Sequence, residues 1–229
     1  MIIVTGSSRG IGNVIANRLS KNGYDVIGIS RGIPQNDVSF KTYQADVSQK
    51  NTLTPIFEDL KEKNITVQAL INCAGILETP FVDWLTIEQS EMESIFSTNV
   101  IGTMNSCQVF LPLMDKKQHT PIINMASLSA HSVTDFAIYG ASKHAVYGFT
   151  KSLAKKLQNT SIRPNCISPG PIKSTMTEGI PEMAFKLFAG PQIINRTVFT
   201  SDDICNVVEL LLDPKSSSLT GQAFHIGGY

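Results

Sequence analysis

The sequence predicts an α/β protein: a doubly wound, parallel sheet of about seven strands with helices on both faces, a three-layer sandwich. Three observations predict it. Short apolar runs alternate with longer amphipathic ones along nearly the whole chain, the pattern of strands joined by crossover helices. Most of the strand candidates are β-branched and apolar at successive rather than alternate positions, as strands covered on both faces are. The first strand runs directly into a glycine-rich turn and then an amphipathic helix.

Strands are read at 2–5, 25–30, 67–72, 122–125, 163–167 and 223–226, with a weaker one at 39–44. In a helix over 10–22, Ile11, Val14, Ile15 and Leu19 fall on one face, and Gly23 supplies a stop. Further helices are read at 51–63, 88–114, 137–157 and 202–212. The long one contains Gly102, which a helix interior tolerates only where something packs closely. The last opens on the cap candidates Thr200-Ser201-Asp202. The segment 169–200 carries four of the eleven prolines and reads as a loop-rich flap, at about 171–200, with one short helix. With no repeat and no charged linker, a single domain over 1–229 is expected.

Composition narrows the function. Basic and acidic residues balance at 19 each, which lacks the basic footprint of a nucleic-acid binder or of a protein held on an anionic membrane surface. No apolar run approaches the ~20 residues needed to span a bilayer. The start MIIVTGSSRG lacks a basic leader region and breaks at Thr5-Gly6. Cys73, Cys107, Cys166 and Cys205 form no CxxC pair and read as core thiols in a reducing compartment. A cytoplasmic protein is expected. His119, His131, His144 and His225 share no ligand spacing, so no metal site is expected.

After the first strand comes Thr5-Gly6-Ser7-Ser8-Arg9-Gly10-Ile11-Gly12. Glycines there permit a tight turn and bring backbone N–H groups to a pyrophosphate at the positive end of a helix. The spacing G-x-x-x-G-x-G departs from G-x-G-x-x-G, and a lone glycine turn would be weak evidence. Its place between first strand and first helix is what points to dinucleotide binding. The second strand ends in Ile29-Ser30-Arg31, with no acid to hold a ribose 2′-hydroxyl. Arg31, with Arg9 from the glycine turn, suits the 2′-phosphate of NADPH rather than NADH.

Thr5-Gly6-x-x-x-Gly10-x-Gly12, Asp46-Val47, Asn72-Cys73-Ala74-Gly75, Asn99, Ser127, Tyr139-Gly-Ala-Ser-Lys143 and Pro169-Gly170 occur in this order. On these motifs the chain resembles the short-chain dehydrogenase/reductase family over nearly its whole length. It is similar to the compact members that include 3-oxoacyl-acyl-carrier-protein reductases, and the resemblance implies a Rossmann-like fold. It further implies that Gly6, Ser8, Arg9, Gly10, Ile11 and Gly12 bind the cofactor. Asp46 would bond the adenine with Val47 beside it, and Asn72, Ala74 and Gly75 would line the cleft. Pro169, Gly170 and Ile172 would hold the carboxamide and block one nicotinamide face, with Thr175 touching the carboxamide or pyrophosphate. Cys73 stands where relatives mostly carry Asn or Ala.

The chemistry follows from residue types. Reducing a carbonyl takes a hydride, which belongs to the cofactor, and a proton, which the protein supplies. A free tyrosine titrates near 10. Lys143 lies one helical turn from Tyr139, where its ammonium is expected to lower that value and also to hold the ribose hydroxyls. Tyrosine–lysine pairs at this spacing usually mean nothing; here the pair follows a serine-ended strand and a dinucleotide loop. Ser127, just past the fifth strand, would polarise the carbonyl; Ser129 is its rival, and Asn124-x-x-Ser127 matches the family pattern. Asn99 is expected mid-helix, where the family reading gives it a kink and a water linking Lys143 to solvent.

The substrate pocket is expected from 129–136, 78–84 and the flap, whose Met176, Met183, Phe185, Leu187 and Phe188 suit a partly apolar small-molecule carbonyl or alcohol. The family reading makes the chain a homo-oligomer, a dimer or tetramer, though Ile226 stands where relatives often carry an aspartate before the final glycine pair. Two rival functions are an NADP-binding sensor or scaffold without activity and a nucleotide-sugar epimerase or dehydratase. The first would be expected to lose the Tyr, Lys or Ser; the second needs an extra substrate domain.

Overall fold

The computed structural model describes residues 1–34, 37–80, 82–132, 136–172, 174, 176–177 and 199–227. Most of the flap, Thr175 included, lies outside the described residues.

Seven strands form one sheet: β1 (Ile2–Thr5), β2 (Val26–Ser30), β3 (Lys41–Gln44), β4 (Ala69–Asn72), β5 (Thr120–Met125), β6 (Ile162–Pro169) and β7 (Ala223–Ile226). Their order is β3-β2-β1-β4-β5-β6-β7 and every neighbouring pair is parallel. β1, β2, β4 and β5 are buried at every position, which is why apolar residues follow one another in them without alternation. β3 closes one edge and exposes Lys41, Thr42 and Gln44, the physical reason for its weak signal. Val67 contributes only an isolated bridge to Met114, so β4 starts later than the sequence implies. β6 runs two residues further, carrying Pro169 to the end of the sheet.

Successive side chains of a strand face opposite ways, and β1 shows how this builds three layers. Ile2 and Val4 join Ile15, Ala16 and Leu19 of α1 (Gly10–Lys21) and Ile204, Val208 and Leu211 of a helix over Ser201–Leu212. Ile3 faces the other way, onto Leu53, Ile56 and Leu60 of α2 (Lys50–Glu62) and Cys107 and Phe110 of a helix over Gly102–Phe110. The Arg18 guanidinium on α1 grips both carboxylate oxygens of Glu209, each at 2.8 Å, and so ties the two helices of the first layer together. Thr200 is the cap of the Ser201–Leu212 helix: it shares a reciprocal capping box with Asp203, and its N–H donates to Asp203 Oδ2 at 3.0 Å.

The single helix expected over 88–114 is four pieces. α3 (Gln89–Phe96) passes into a π-helical turn (Ser97–Ile101), then α4 (Gly102–Phe110), and ends in a 3₁₀ turn (Leu111–Leu113) that contains Pro112. Gly102 sits where the π turn ends. A Cβ there would lie 2.5 Å from Val47 Cγ2, so the close packing required of that glycine is supplied by the turn after β3. α5 (Ala137–Lys156) completes the second layer and α6 (Ser201–Leu212) the first. Among the described residues, no helix is long and apolar enough to cross a membrane.

Strand order reverses at β1, which lies between β2 and β4. Such a reversal opens a crevice beyond the carboxyl ends of the two central strands, where ligands of open α/β sheets bind. Substituting Gly102→Ala forces a methyl onto Val47 and is expected to cost about 1–3 kcal/mol in urea unfolding; an unchanged midpoint would contradict that packing.

Candidate active site

The glycine turn after β1 stands at this crevice and meets the turn after β4. Gly6 has φ of +70°, and a Cβ on it would lie 2.7 Å from Ala74 N and Cα. A Cβ on Gly12 would lie 2.4 Å from the Gly6 carbonyl oxygen, so the first turn of α1 folds directly onto the loop. Ala74 N–H donates to Thr5 Oγ1 at 3.3 Å, joining the two turns. The N-terminus of α1 has no side-chain cap and no acid in its first turn. Its open N–H groups and positive dipole end are therefore unneutralised, and Arg9 projects, exposed, at the cap position. The open N–H groups of this turn fit the diphosphate of a dinucleotide, while Ser7 Oγ is fully buried beside Gly28 and Phe40. Ser8 and Gly10 are partly buried on the same turn, and Ile11 packs into the core below it.

The next feature lies past β2 and β3. Arg31 is exposed at the end of β2, with NH1 3.9 Å from Asp46 Oδ2. Asp46 Oδ1 accepts from the Ser48 N–H at 2.9 Å and the Ser48 hydroxyl at 2.7 Å, so this carboxylate shapes its own turn. Val47 is buried on Gly102. Asn105 of α4, which the sequence reading passed over, pins the turn by donating to the Val47 carbonyl at 2.9 Å and the Ser48 carbonyl at 3.3 Å. An asparagine on an amphipathic helix carries no signal of such a contact.

Asn72, at the end of β4, does not project into the cleft. It is 2% exposed, and its amide donates to Asn124 Oδ1 at 2.8 Å and to Cys107 Sγ at 3.4 Å, while Asn124 in turn donates to Thr150. The pair sits on matching positions of β4 and β5 and ties the sheet to the second helix layer. Ala74 and Gly75 line the crevice at the level of the lysine: a Cβ on Gly75 would lie 3.3 Å from Asn99 Oδ1 and 3.5 Å from Lys143 Nζ.

β5 ends at Met125 and carries Ser127 out beside the N-terminal turn of α5, which bears Tyr139 and Lys143. Ser127 is the serine whose side chain acts on the Tyr139 phenol, pulling its pKa down, and its Oγ accepts from Ser129 N at 3.1 Å. Lys143 is 4% exposed; its Nζ donates to the Met125 carbonyl at 2.8 Å and lies 5.4 Å from the Tyr139 ring centroid. Burial pushes Lys143 down to about 8. Tyr139 moves opposite to the sequence expectation: burial pushes it up to about 12, with the Ser127 bond pulling the other way. Desolvation sets the direction of that shift.

Asn99 lies in the π turn, consistent with the expected kink. Its Oδ1 accepts from Ile76 N at 2.8 Å and its amide donates to the Ile76 carbonyl and to Ser142 Oγ, each at 3.0 Å. Ser142 Oγ then donates to the Tyr139 carbonyl at 2.7 Å. Asn99 thus clamps the segment after Gly75 to α5. Pro169 closes β6, Gly170 N–H donates to the Ile226 carbonyl at 2.7 Å, and Ile172 is buried with a bridge to Phe199. Of the histidines, His131 packs edge-on to Tyr147 and bonds Ser168 Oγ at 2.9 Å, and His144 bonds the Gly140 carbonyl of its own helix.

A family model described as enoyl-(acyl carrier protein) reductase matches residues 6–229. Carbonyl reductase family member 4 of Xenopus laevis is 34% identical over 186 residues, 78% of each chain. The 3-oxoacyl-[acyl-carrier-protein] reductase FabG of Staphylococcus epidermidis is 29% identical over 238 residues, 99% of this chain and 96% of that protein. In structure the chain is similar to a ligand-free aldohexose dehydrogenase of Thermoplasma acidophilum, with a TM-score of 0.86, 25% identity, and 98% and 91% of the two chains covered. The seven-stranded parallel fold, the glycine turn and the matched relatives agree: the chain belongs to the short-chain dehydrogenase/reductase family.

Proposed function

We propose that the chain is an NADPH-dependent oxidoreductase that reduces a ketone or aldehyde to an alcohol. The observation that carries the reading is the buried Lys143, bonded to the end of β5 and 5.4 Å from the Tyr139 ring, with Ser127 acting on the same phenol. Two hydroxyls brought to one place at the end of the sheet suit a third oxygen between them. A carbonyl oxygen entering there accepts from both, so Ser127 polarises it and Tyr139 hands it a proton. The nicotinamide, when bound, supplies the hydride.

The phenol, pushed up to about 12, keeps its proton through the neutral range, which favours reduction over oxidation. Lys143, at about 8, sits closer to neutrality and resupplies Tyr139 after transfer. Gly6, Ser8, Gly10, Ile11 and Gly12 would hold the diphosphate. Asp46 and Val47 would receive the adenine; Ala74, Gly75, Pro169, Gly170, Ile172 and Thr175 would complete the cleft, with Asn72 bracing the end of β4 beneath it. Arg9 and Arg31, both exposed, would hold the 2′-phosphate.

A partly apolar substrate suits Trp84 and Leu85, exposed on the short helix Trp84–Thr86. The similarity to a 3-oxoacyl reductase makes a 3-oxoacyl thioester the first compound to try. The chain acts as one domain over 1–229 and assembles as a homo-oligomer, for which Phe96 and Ile101 expose apolar surface. Four free thiols suit the cytoplasm.

Tyr139→Phe is expected to lower kcat by ~10²–10⁴-fold while NADPH binding persists, measured by loss of NADPH absorbance against a carbonyl panel. Undiminished turnover would remove Tyr139 from the chemistry. Replacing Arg9 and Arg31 by Ala is expected to raise the Kd for NADPH by ~10–100-fold and leave that for NADH unchanged, the scale of charged hydrogen bonds to one phosphate. Equal effects on both cofactors would contradict the 2′-phosphate role.

Lys143 also predicts a stability profile. Folded it releases its proton near 8, unfolded near 10.5, so between these values the unfolded chain holds the extra proton. Stability from this group therefore rises with pH across that window; the penalty is full below it and gone above it. Lys143→Met is expected to be more stable than the wild-type chain at pH 7, with an advantage that shrinks as pH climbs from 8 toward 10.5 in urea unfolding. A constant advantage would contradict the buried ammonium.

A further inference from the structure

Glu78 is a carboxylate only 5% exposed, on the segment that follows the turn after β4. A buried carboxylate is costly unless hydrogen-bonded or offset by positive charge. Here Oε2 accepts from the backbone N–H of Tyr139 at 2.7 Å, across a sequence separation of 61 residues. That amide is one of the open donors of the first turn of α5, where the helix is least able to satisfy itself. α5 has no acid in its first turn, and its own cap residue, Phe136, makes no side-chain capping bond. A helix of 20 residues presents its positive end at that place, which offsets the carboxylate charge.

The segment bearing Glu78 is itself held. Asn99 grips both the N–H and the carbonyl of Ile76, at 2.8 and 3.0 Å, and Glu91 accepts from Thr79 N at 2.6 Å. A closed circuit results. Asn99 binds Ser142 Oγ, Ser142 binds the Tyr139 carbonyl, Tyr139 N–H binds Glu78, and Glu78 is two residues from the Ile76 that Asn99 clamps. The Tyr139 backbone is thereby fixed through its N–H by one side chain and through its carbonyl by another.

We infer that Glu78 is a positioning residue for the proton donor: it caps the helix of Tyr139 from outside and fixes the direction from which the phenol meets Ser127 and the substrate. The inference rests on the reading of Tyr139 as proton donor. It needs an acceptor at position 78, and the amide oxygen of glutamine serves as well as a carboxylate oxygen.

The test compares Glu78→Ala and Glu78→Gln in the full chain, with NADPH, for steady-state reduction, NADPH binding and amide hydrogen exchange at Tyr139. In Glu78→Ala, kcat is expected to fall by ~10–100-fold, the scale of a misplaced reacting group, with the Kd for NADPH unchanged. Tyr139 amide protection is expected to fall with it. In Glu78→Gln, both are expected to stay close to wild type. A Glu78→Ala chain that keeps kcat and Tyr139 protection overturns the inference, as does a Glu78→Gln chain as impaired as Glu78→Ala. A Glu78→Ala chain that loses thermal stability at unchanged kcat overturns it too, since the residue would then only hold the loop. If the wild-type chain turns over no carbonyl, the reading of Tyr139 fails and the positioning role with it. Tyr139 exchange then still reports whether the cap exists.

Discussion

An ammonium at 4% exposure is the constraint around which the site is arranged. Removing a lysine from water disfavours its charge, and the group answers with one bond, to the Met125 carbonyl, and a pKa drawn down to about 8. Its position then depends on two elements being locked together: the end of β5, which supplies that carbonyl, and α5, which supplies the side chain. The Lys143–Met125 bond itself joins them. Glu78, Ser142 and Asn99 lock α5 to the turn after β4. Loosening any of these leaves a buried cation without a fixed partner, so the polar contacts around Lys143 hold the fold as well as the chemistry.

The cofactor end is open where the catalytic end is closed. α1 begins without a cap or an acid, and its charged neighbour Arg9 is exposed. Arg31 leans toward Asp46 at 3.9 Å, a pair exposed enough to be worth little in stability. Such a contact keeps the guanidinium at the strand end without committing it. Underneath, the fit is tight: Val47 against Gly102, and Asn105 against the backbone of the same turn. A rigid floor with free charges above it suits a ligand that brings its own negative charge.

How much of this could be read from the sequence depends on how local each cause is. Buried strands such as β1 and β4 announce themselves, because three successive positions are apolar before the polar end residue; edge strand β3 does not, because three of its four residues face water. The Tyr139–Lys143 spacing and the glycine turn are local patterns, and both were legible. The break at Ser97–Ile101 was not, because it goes with contacts to Ile76 and Val47, which come from elsewhere in the chain. The acidity of Tyr139 is not legible for a related reason: spacing reveals the lysine, while the burial that raises the phenol is a property of the assembled fold. Glu78, Asn105 and Ser142 act through partners that no pattern in the sequence connects to them. Only Glu78 left a trace, as a lone acid after the apolar pair Ile76-Leu77.

Reduction with NADPH carrying deuterium at the transferring position of the nicotinamide tests the central claim most directly. A 3-oxoacyl thioester, or any carbonyl the chain accepts, is expected to yield an alcohol with deuterium on carbon and a solvent-derived proton on oxygen. An alcohol product without deuterium, or deuterium appearing in solvent, would contradict hydride transfer to a carbonyl held between Ser127 and Tyr139.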